Sequence, residues 1–233
     1  MPIADVKATE QAHLCIMLSQ STYSLGRLAV IINPQNNENF YYALTGVVIP
    51  RPIAFISTIS ESGYFNLAPF SFFNAVSSNP PTVAISIARN TPSKLKDTLA
   101  NIEATQEFVI NIVVDDIVEA MNKTAAEYPT EINEFEIAGL TAAPSTMVRA
   151  PRVLESPVNL ECKLNQVITI GQDETESGLV LAEVIAMHID EAVVTDNRVD
   201  SRKLKAVGRL GGSEYSHTDS LFTLVRPTYP GNA

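Results

Sequence analysis

Residues 157–190 read PVNLECKLNQVITIGQDETESGLVLAEVIAMHID, and their pattern decides the fold. Leu160, Cys162 and Leu164 alternate with Glu161, Lys163 and Asn165, the period of two that buries one face of a strand and leaves the other wet. The polar run QDETESG at 172–178 leads to GLVLAEVIAMHID, so the two halves form a long hairpin. Three more β-rich runs precede it: RPIAFISTIS at 51–60, followed by the turn residues ESG, then TVAISIA at 82–88 and EFVINIVV at 107–114. Strands in pairs, few helices and no βαβ alternation give a mainly β fold with added helices, an antiparallel barrel or sandwich.

Two segments read as helices. TPSKLKDTLANIEAT at 91–105 places Thr91 as an N-cap and Pro92 at the first helical position, with Leu95, Leu99 and Ile102 on one apolar face. DDIVEAMNKTAAEYP at 115–129 begins at a cap from Asp115 or Asp116 and stops at Pro129. NLAPFSFFNAVSSNPP at 66–81 fits neither template, because Pro69, Pro80 and Pro81 oppose a helix and the adjacent Phe72 and Phe73 oppose strict alternation. It suits a wall that offers backbone amides and small hydroxyls beside an apolar surface. Residues 1–38 are mixed in character and read as an N-terminal extension of uncertain structure, ahead of a single domain at 39–233.

The chain has 233 residues, 45% of them hydrophobic, and 16 basic against 26 acidic side chains give a net charge of −10. That balance disfavours nucleic acid as a partner, since phosphate backbones are met by a basic face. Cys15 and Cys162 lie far apart and His13, His188 and His217 stand separately, so neither a disulfide framework nor a metal site is expected. No apolar run reaches transmembrane length and no secretory signal opens the chain, so no membrane partner and a cytoplasmic protein are expected.

A helix start at Thr91 would attract an anion such as phosphate, with Arg89, Ser93, Lys94 and Thr98 adding donors. Ordinary capping and solvation account for the same residues. Ser57 and Thr58 end a β-rich run, where polar residues either line a ligand at a barrel mouth or sit as β-compatible surface. Phe70, Phe72 and Phe73 suit a core, whereas Ser71 and Asn74 between them need polar partners. No nucleophile with an adjacent base, paired carboxylates or phosphate-loop fingerprint stands out, so any catalysis would rest on a bound cofactor.

In order, TGVVIPRPIAFIST, NLAPFSFFNAVSSNPPTV, KDTLANI, EFVINIV, GLTAAPSTMVRAPRVLESPVNLEC and RLGGSEY resemble the flavin reductase-like family with an FMN-binding split barrel, in its flavoredoxin-like branch. The resemblance runs from about Phe40 to Pro227. It implies a six-stranded antiparallel Greek-key split β-barrel that forms a homodimer with FMN near the interface, and NAD(P)H as a co-substrate. It implies that Ser57 and Thr58 line the flavin groove, that Phe70, Ser71 and Phe72 run along the isoalloxazine edge with Asn74 following, and that Lys94, Asp97 and Thr98, helped by Arg89, hold the phosphate and ribityl chain. Arg209, Gly212 and Tyr215 fall on the nicotinamide or substrate side, with His217 nearby. The activity implied is hydride transfer from NAD(P)H to FMN and on to a small-molecule acceptor. An FMN-dependent enzyme acting on a specific organic substrate in a biosynthetic pathway, and a flavin-binding electron carrier without its own turnover, are the alternatives.

Overall fold

The computed structural model describes residues 30–35, 39–88, 95–171 and 176–229. The expectations for Arg89, Thr91, Pro92, Ser93 and Lys94, and those for residues 1–29, lie outside the described residues. The chain divides into two units, Met1–Leu44 and Thr45–Ala233. The first helix, α1, covers Phe40–Val47.

The second unit is built on one seven-stranded antiparallel sheet. Its strands are β1 (Ala54–Ile59), β2 (Phe65–Phe70), β3 (Phe73–Ser78), β4 (Pro81–Ala88), β5 (Glu107–Ile112), β8 (Val158–Ile170) and β9 (Ser177–Ile189). They pair in the order β2-β1-β5-β8-β9-β4-β3. The two-residue strands β6 (Ala142–Ala143) and β7 (Arg152–Val153) pair within the connector at 140–157 that leads into β8, β10 (Val194–Thr195) pairs with β11 (Arg198–Val199), and β12 (Val207–Arg209) with β13 (Tyr215–His217). The helices are α2 (Asp97–Thr105), α3 (Val118–Lys123), α4 (Glu134–Ala138) and α5 (Ser201–Leu204).

The mainly β, antiparallel reading is what the chain adopts, with β8 and β9 as the long hairpin. The pairing runs through seven strands, against the six expected, because the stretch 66–81 contributes to two of them. β2 ends at Phe70, Ser71 and Phe72 leave the ladder, and β3 resumes at Phe73. Those two strands stand at opposite edges of the sheet. Laid flat, seven strands at about 4.8 Å spacing would hold the edges about 29 Å apart. The chain from Phe70 to Phe73 spans at most about 11 Å. The sheet is therefore curled so that its two edges approach each other at Ser71–Phe72, and the Phe72 carbonyl accepts the Ser86 amide at 2.9 Å, extending the β3–β4 pairing.

β1 is buried on both faces, which explains the apolar run at 53–56 that leads into the buried Ser57 and Thr58. Ala54 and Ile56 join the main core with Ile85, Ile87, Leu99, Phe108 and Val180. Phe55 faces a second cluster with Leu67, Ile117, Met121 and Phe135. The α2 helix starts at Asp97, later than the reading from Thr91, because Lys96 is extended (φ −64°, ψ 143°) and serves as the N-cap without a side-chain cap. The second helix begins as a 3-10 turn at Asp115–Ile117 whose N-cap is Val114, so neither aspartate caps it, and α3 ends at Lys123, well short of Pro129.

Glu161 reverses its expected place. It is wholly buried although its strand face was read as wet. The connector folds over that face, and the Glu161 carboxylate accepts the amides of Thr146 (2.8 Å), Met147 (2.6 Å) and Val148 (3.1 Å) and bonds His188 Nε2.

Candidate functional site

The Ser71–Phe72 break is held from below by Arg51, whose side chain is only 7% exposed. Its Nη1 donates to the carbonyls of Thr45 (2.6 Å) and Val48 (2.7 Å), and its Nη2 to the carbonyl of Leu210 (2.8 Å). Its Nε reaches Ser71 Oγ at 3.4 Å, and the guanidinium carbon lies 5.9 Å from the Phe72 ring centroid, a cation–π geometry. The backbones of Arg51 and Arg209 also exchange both hydrogen bonds, at 2.9 and 2.8 Å. Among the described residues, no carboxylate forms an ion pair with Arg51.

Above this anchor the wall is open. Phe72 is 43% exposed, Asn74 is exposed on edge strand β3, and Phe70 and Ser71 are half-buried. A neighbouring cleft of about 130 Å³ lies where the end of β2, the start of α2 and the loop after α3 meet, lined by Asn66, Phe70, Lys96, Asp97, Tyr128 and Glu134 among others. Thr98 also borders it, but its side chain is buried and its Oγ1 accepts from Asn66 Nδ2 at 2.9 Å. Asp97 accepts from Thr130 Oγ1 at 3.1 and 3.2 Å. The lysine adjoining Asp97 and Thr98 is Lys96, not Lys94, and its ammonium meets Glu127 at 3.4 Å.

Glu134 is buried at this cleft and accepts the Leu67 amide at 3.1 Å. Burial raises its pKa, its own amide and that of Leu67 oppose this, and the nearby Asp97 charge adds to the rise. With Asp97, Glu127 and Glu134 around one lysine, the cleft suits polyhydroxyl or neutral groups better than a free phosphate.

Ser57 and Thr58 do not border an open groove. Both are fully buried. Ser57 Oγ donates to the Pro151 carbonyl and accepts from Asn111 Nδ2 at 3.1 Å, while Thr58 Oγ1 accepts from Asn101 Nδ2 at 3.0 Å. β1 runs between β2 and β5, so the surroundings are protein on both sides. Asn111 continues this network by accepting the Val153 amide and Asn159 Nδ2, each at 2.8 Å, which locks the connector onto the sheet.

Arg209, Gly212 and Tyr215 come together as one turn. The Arg209 guanidinium donates to the Tyr215 hydroxyl and the Gly212 carbonyl, and stacks 4.5 Å from the Tyr215 ring centroid. Gly212 has φ +55°, the left-handed region that favours glycine. His217 is exposed beside this turn, and its pKa is raised by the hydrogen bond from its Nδ1 to Asp115 (2.8 Å) and by that carboxylate's charge. The Leu210 carbonyl bond to Arg51 joins this turn to the Ser71–Phe72 wall. Arg51 and Glu134 went unselected in the sequence. The one signal for Arg51 was its place between Pro50 and Pro52 in TGVVIPRPIAFIST; Glu134 had none. Among the described residues, no cluster of His, Cys, Asp and Glu could hold a metal, and no helix is long and apolar enough to cross a membrane.

Comparison with known proteins fits this arrangement. Residues 46–203 match the family model of the flavin reductase like domain. The chain is 34% identical to nitrilotriacetate monooxygenase component B from Bacillus cereus, with a TM-score of 0.82 over 85% of this chain and 100% of that one. It is 32% identical to the 2-nitrobenzoate 2-nitroreductase NbaA of Pseudomonas fluorescens, with a TM-score of 0.77 over 86% and 98% of the two chains. A split-barrel protein from Shewanella frigidimarina, described as a flavin reductase, is 27% identical with a TM-score of 0.72, over 83% and 96%.

Proposed function

The chain belongs to the flavin reductase-like domain family, and from that premise we propose that it is an FMN-dependent oxidoreductase that uses NAD(P)H and passes the electrons to a small-molecule acceptor. The observation that carries this reading is the wall at Phe70–Asn74. It offers an exposed aromatic face, a hydroxyl and a side-chain amide over a buried cation that has no carboxylate partner among the described residues, a donor set that fits a flat, polar-edged, anionic ligand.

When bound, the flavin supplies the redox chemistry, accepting a hydride, two electrons with one hydrogen nucleus, from NAD(P)H, which is released as NAD(P)+. The chain's own part is binding and alignment. Phe72 and Ser71 would orient the ring system, Asn74 would meet its polar edge, Lys94 with Arg89 would neutralise the phosphate, and Lys96 and Asp97 would hold the ribityl chain. Exposed apolar residues on the Thr45–Ala233 unit, among them Val48, Val76 and Phe222, support a homodimer that covers them. The 32% identity to a nitroreductase favours, as a second reading, direct reduction of an organic substrate on the same flavin.

The test is to purify the full chain, titrate it with FMN and with FAD, and follow NADH and NADPH oxidation with and without added acceptors. Failure to bind either flavin would sink the reading. Lys94→Ala is expected to weaken FMN binding by about 1.5 to 3 kcal/mol, the worth of a charge-assisted contact, while Lys96→Ala has the smaller effect. The reverse order would move the phosphate to the cleft beside α2.

A further inference from the structure

The geometry points to Arg51 as a positioning residue that also biases the site electrostatically: its buried guanidinium, which pairs with no carboxylate among the described residues, fixes the Ser71–Phe72 wall to the Leu210 turn and favours a reduced, negatively charged flavin over the oxidised one. This rests on the flavin reading above and adds to it a residue and a property.

Three observations support it. Arg51 is buried to 7% exposure, yet its partners are carbonyl oxygens of Thr45, Val48 and Leu210 and the Ser71 hydroxyl, all neutral. Carbonyl dipoles solvate a cation but do not cancel its charge, so its field reaches whatever covers the wall. The side chain also contacts both candidate half-sites at once. Nε and the guanidinium face reach Ser71 and Phe72, and Nη2 holds Leu210 in the turn that carries Arg209, Gly212 and Tyr215. Finally, the Leu210 turn has little room to settle elsewhere. A Cβ on Gly211 would lie 3.3 Å from Gly46 Cα, and one on Gly208 would lie 2.9 Å from Pro50 Cβ. Arg51 thus ties together segments that are already in close contact.

A lysine could keep the charge but not the planar fork that reaches four oxygens, so charge and positioning separate by substitution. The experiment measures FMN affinity in oxidised and reduced protein, the midpoint potential against a reference dye, and the melting temperature, for wild type, Arg51→Lys and Arg51→Gln. Arg51→Gln is expected to lose about tenfold in the preference for reduced over oxidised flavin, the scale of one charge in a partly screened interior. For a two-electron couple that is a midpoint about 30 mV more negative. Arg51→Lys is expected to keep the potential and to raise the KM for NAD(P)H with less change in kcat, because the turn loosens while the charge stays. If Arg51→Gln does not fold, Ser71→Asp places a carboxylate against the guanidinium and is expected to lower the potential likewise.

A wild type that binds flavin and variants that share its potential would overturn the inference alone. A wild type that binds no flavin would overturn the flavin reading and the inference with it.

Discussion

Glu161 shows what a single residue can do when a loop chooses it. The alternation around Leu160, Cys162 and Leu164 identified the strand and its apolar face correctly. It could not show that the connector would fold onto the other face, because that depends on amides of Thr146, Met147 and Val148, residues with no periodic signal. Burial alone would push the Glu161 pKa up. The Thr146 amide, His188 and the Met147 amide outweigh it and hold the value below the usual carboxylate range. A folded-state pKa below the unfolded one contributes stability that is full above the unfolded value and lost as pH falls through the folded value. Glu161→Gln is accordingly expected to cost about 2 to 4 kcal/mol near neutral pH, read by urea unfolding, because an amide NH2 must face backbone donors. The gap to wild type should close only in acid, below the ordinary carboxylate range; a gap that stayed constant there would contradict the assignment. The neighbouring Cys162 thiol is pushed well above its normal pKa by burial and then by the Glu161 charge, so it is a packing residue.

Among elements, the paired strands were legible and the helix starts were not. The β8–β9 hairpin follows from alternation and turn residues, and the β1–β2 hairpin from β-forming residues and the ESG turn at 61–63. α2 begins later than the strong local start signal Thr91-Pro92 suggests, because Lys96 is extended and the chain turns helical where Thr98 and Leu99 can be buried. Ser57 and Thr58 carried no mark distinguishing a groove from a core, since a hydroxyl suits both and only the position of Asn111 and Asn101 decides. The β12–β13 hairpin rests on close contact rather than on apolar bulk. Gly208 pairs with Ser216, and a Cβ there would come within 2.9 Å of both Pro50 Cβ and Ser216 Oγ. Gly208→Ala is expected to destabilise the protein by about 1 to 3 kcal/mol through overpacking, measured by chemical denaturation. Because Pro50 precedes Arg51, the same variant should also disturb the Arg51–Leu210 tie. An alanine variant as stable as wild type would mean that the hairpin can shift away freely.

At the scale of the whole molecule, composition and pairing of strands identified a mainly β antiparallel protein, and the ordered motifs identified its family. The barrel that the motifs implied already carried a curled sheet, but the strand order was not legible, since it is a property of non-local pairing. The stretch 66–81 looked irregular because it belongs to both edges, with its break at Ser71 and Phe72. That joint has a thermodynamic meaning. A ligand seated on Phe70–Asn74 would grip the clasp of the sheet, so occupancy and resistance to opening become one quantity. Saturating FMN at about 100 times its Kd should stabilise the fold by about 2.7 kcal/mol, seen as a higher melting temperature and slower proteolysis. Protection concentrated at the two edge strands would place the ligand at the clasp, and uniform protection would place it elsewhere. On this account the protein's durability in a cell would track its cofactor supply, and scarcity of flavin would be read out as turnover of the polypeptide itself.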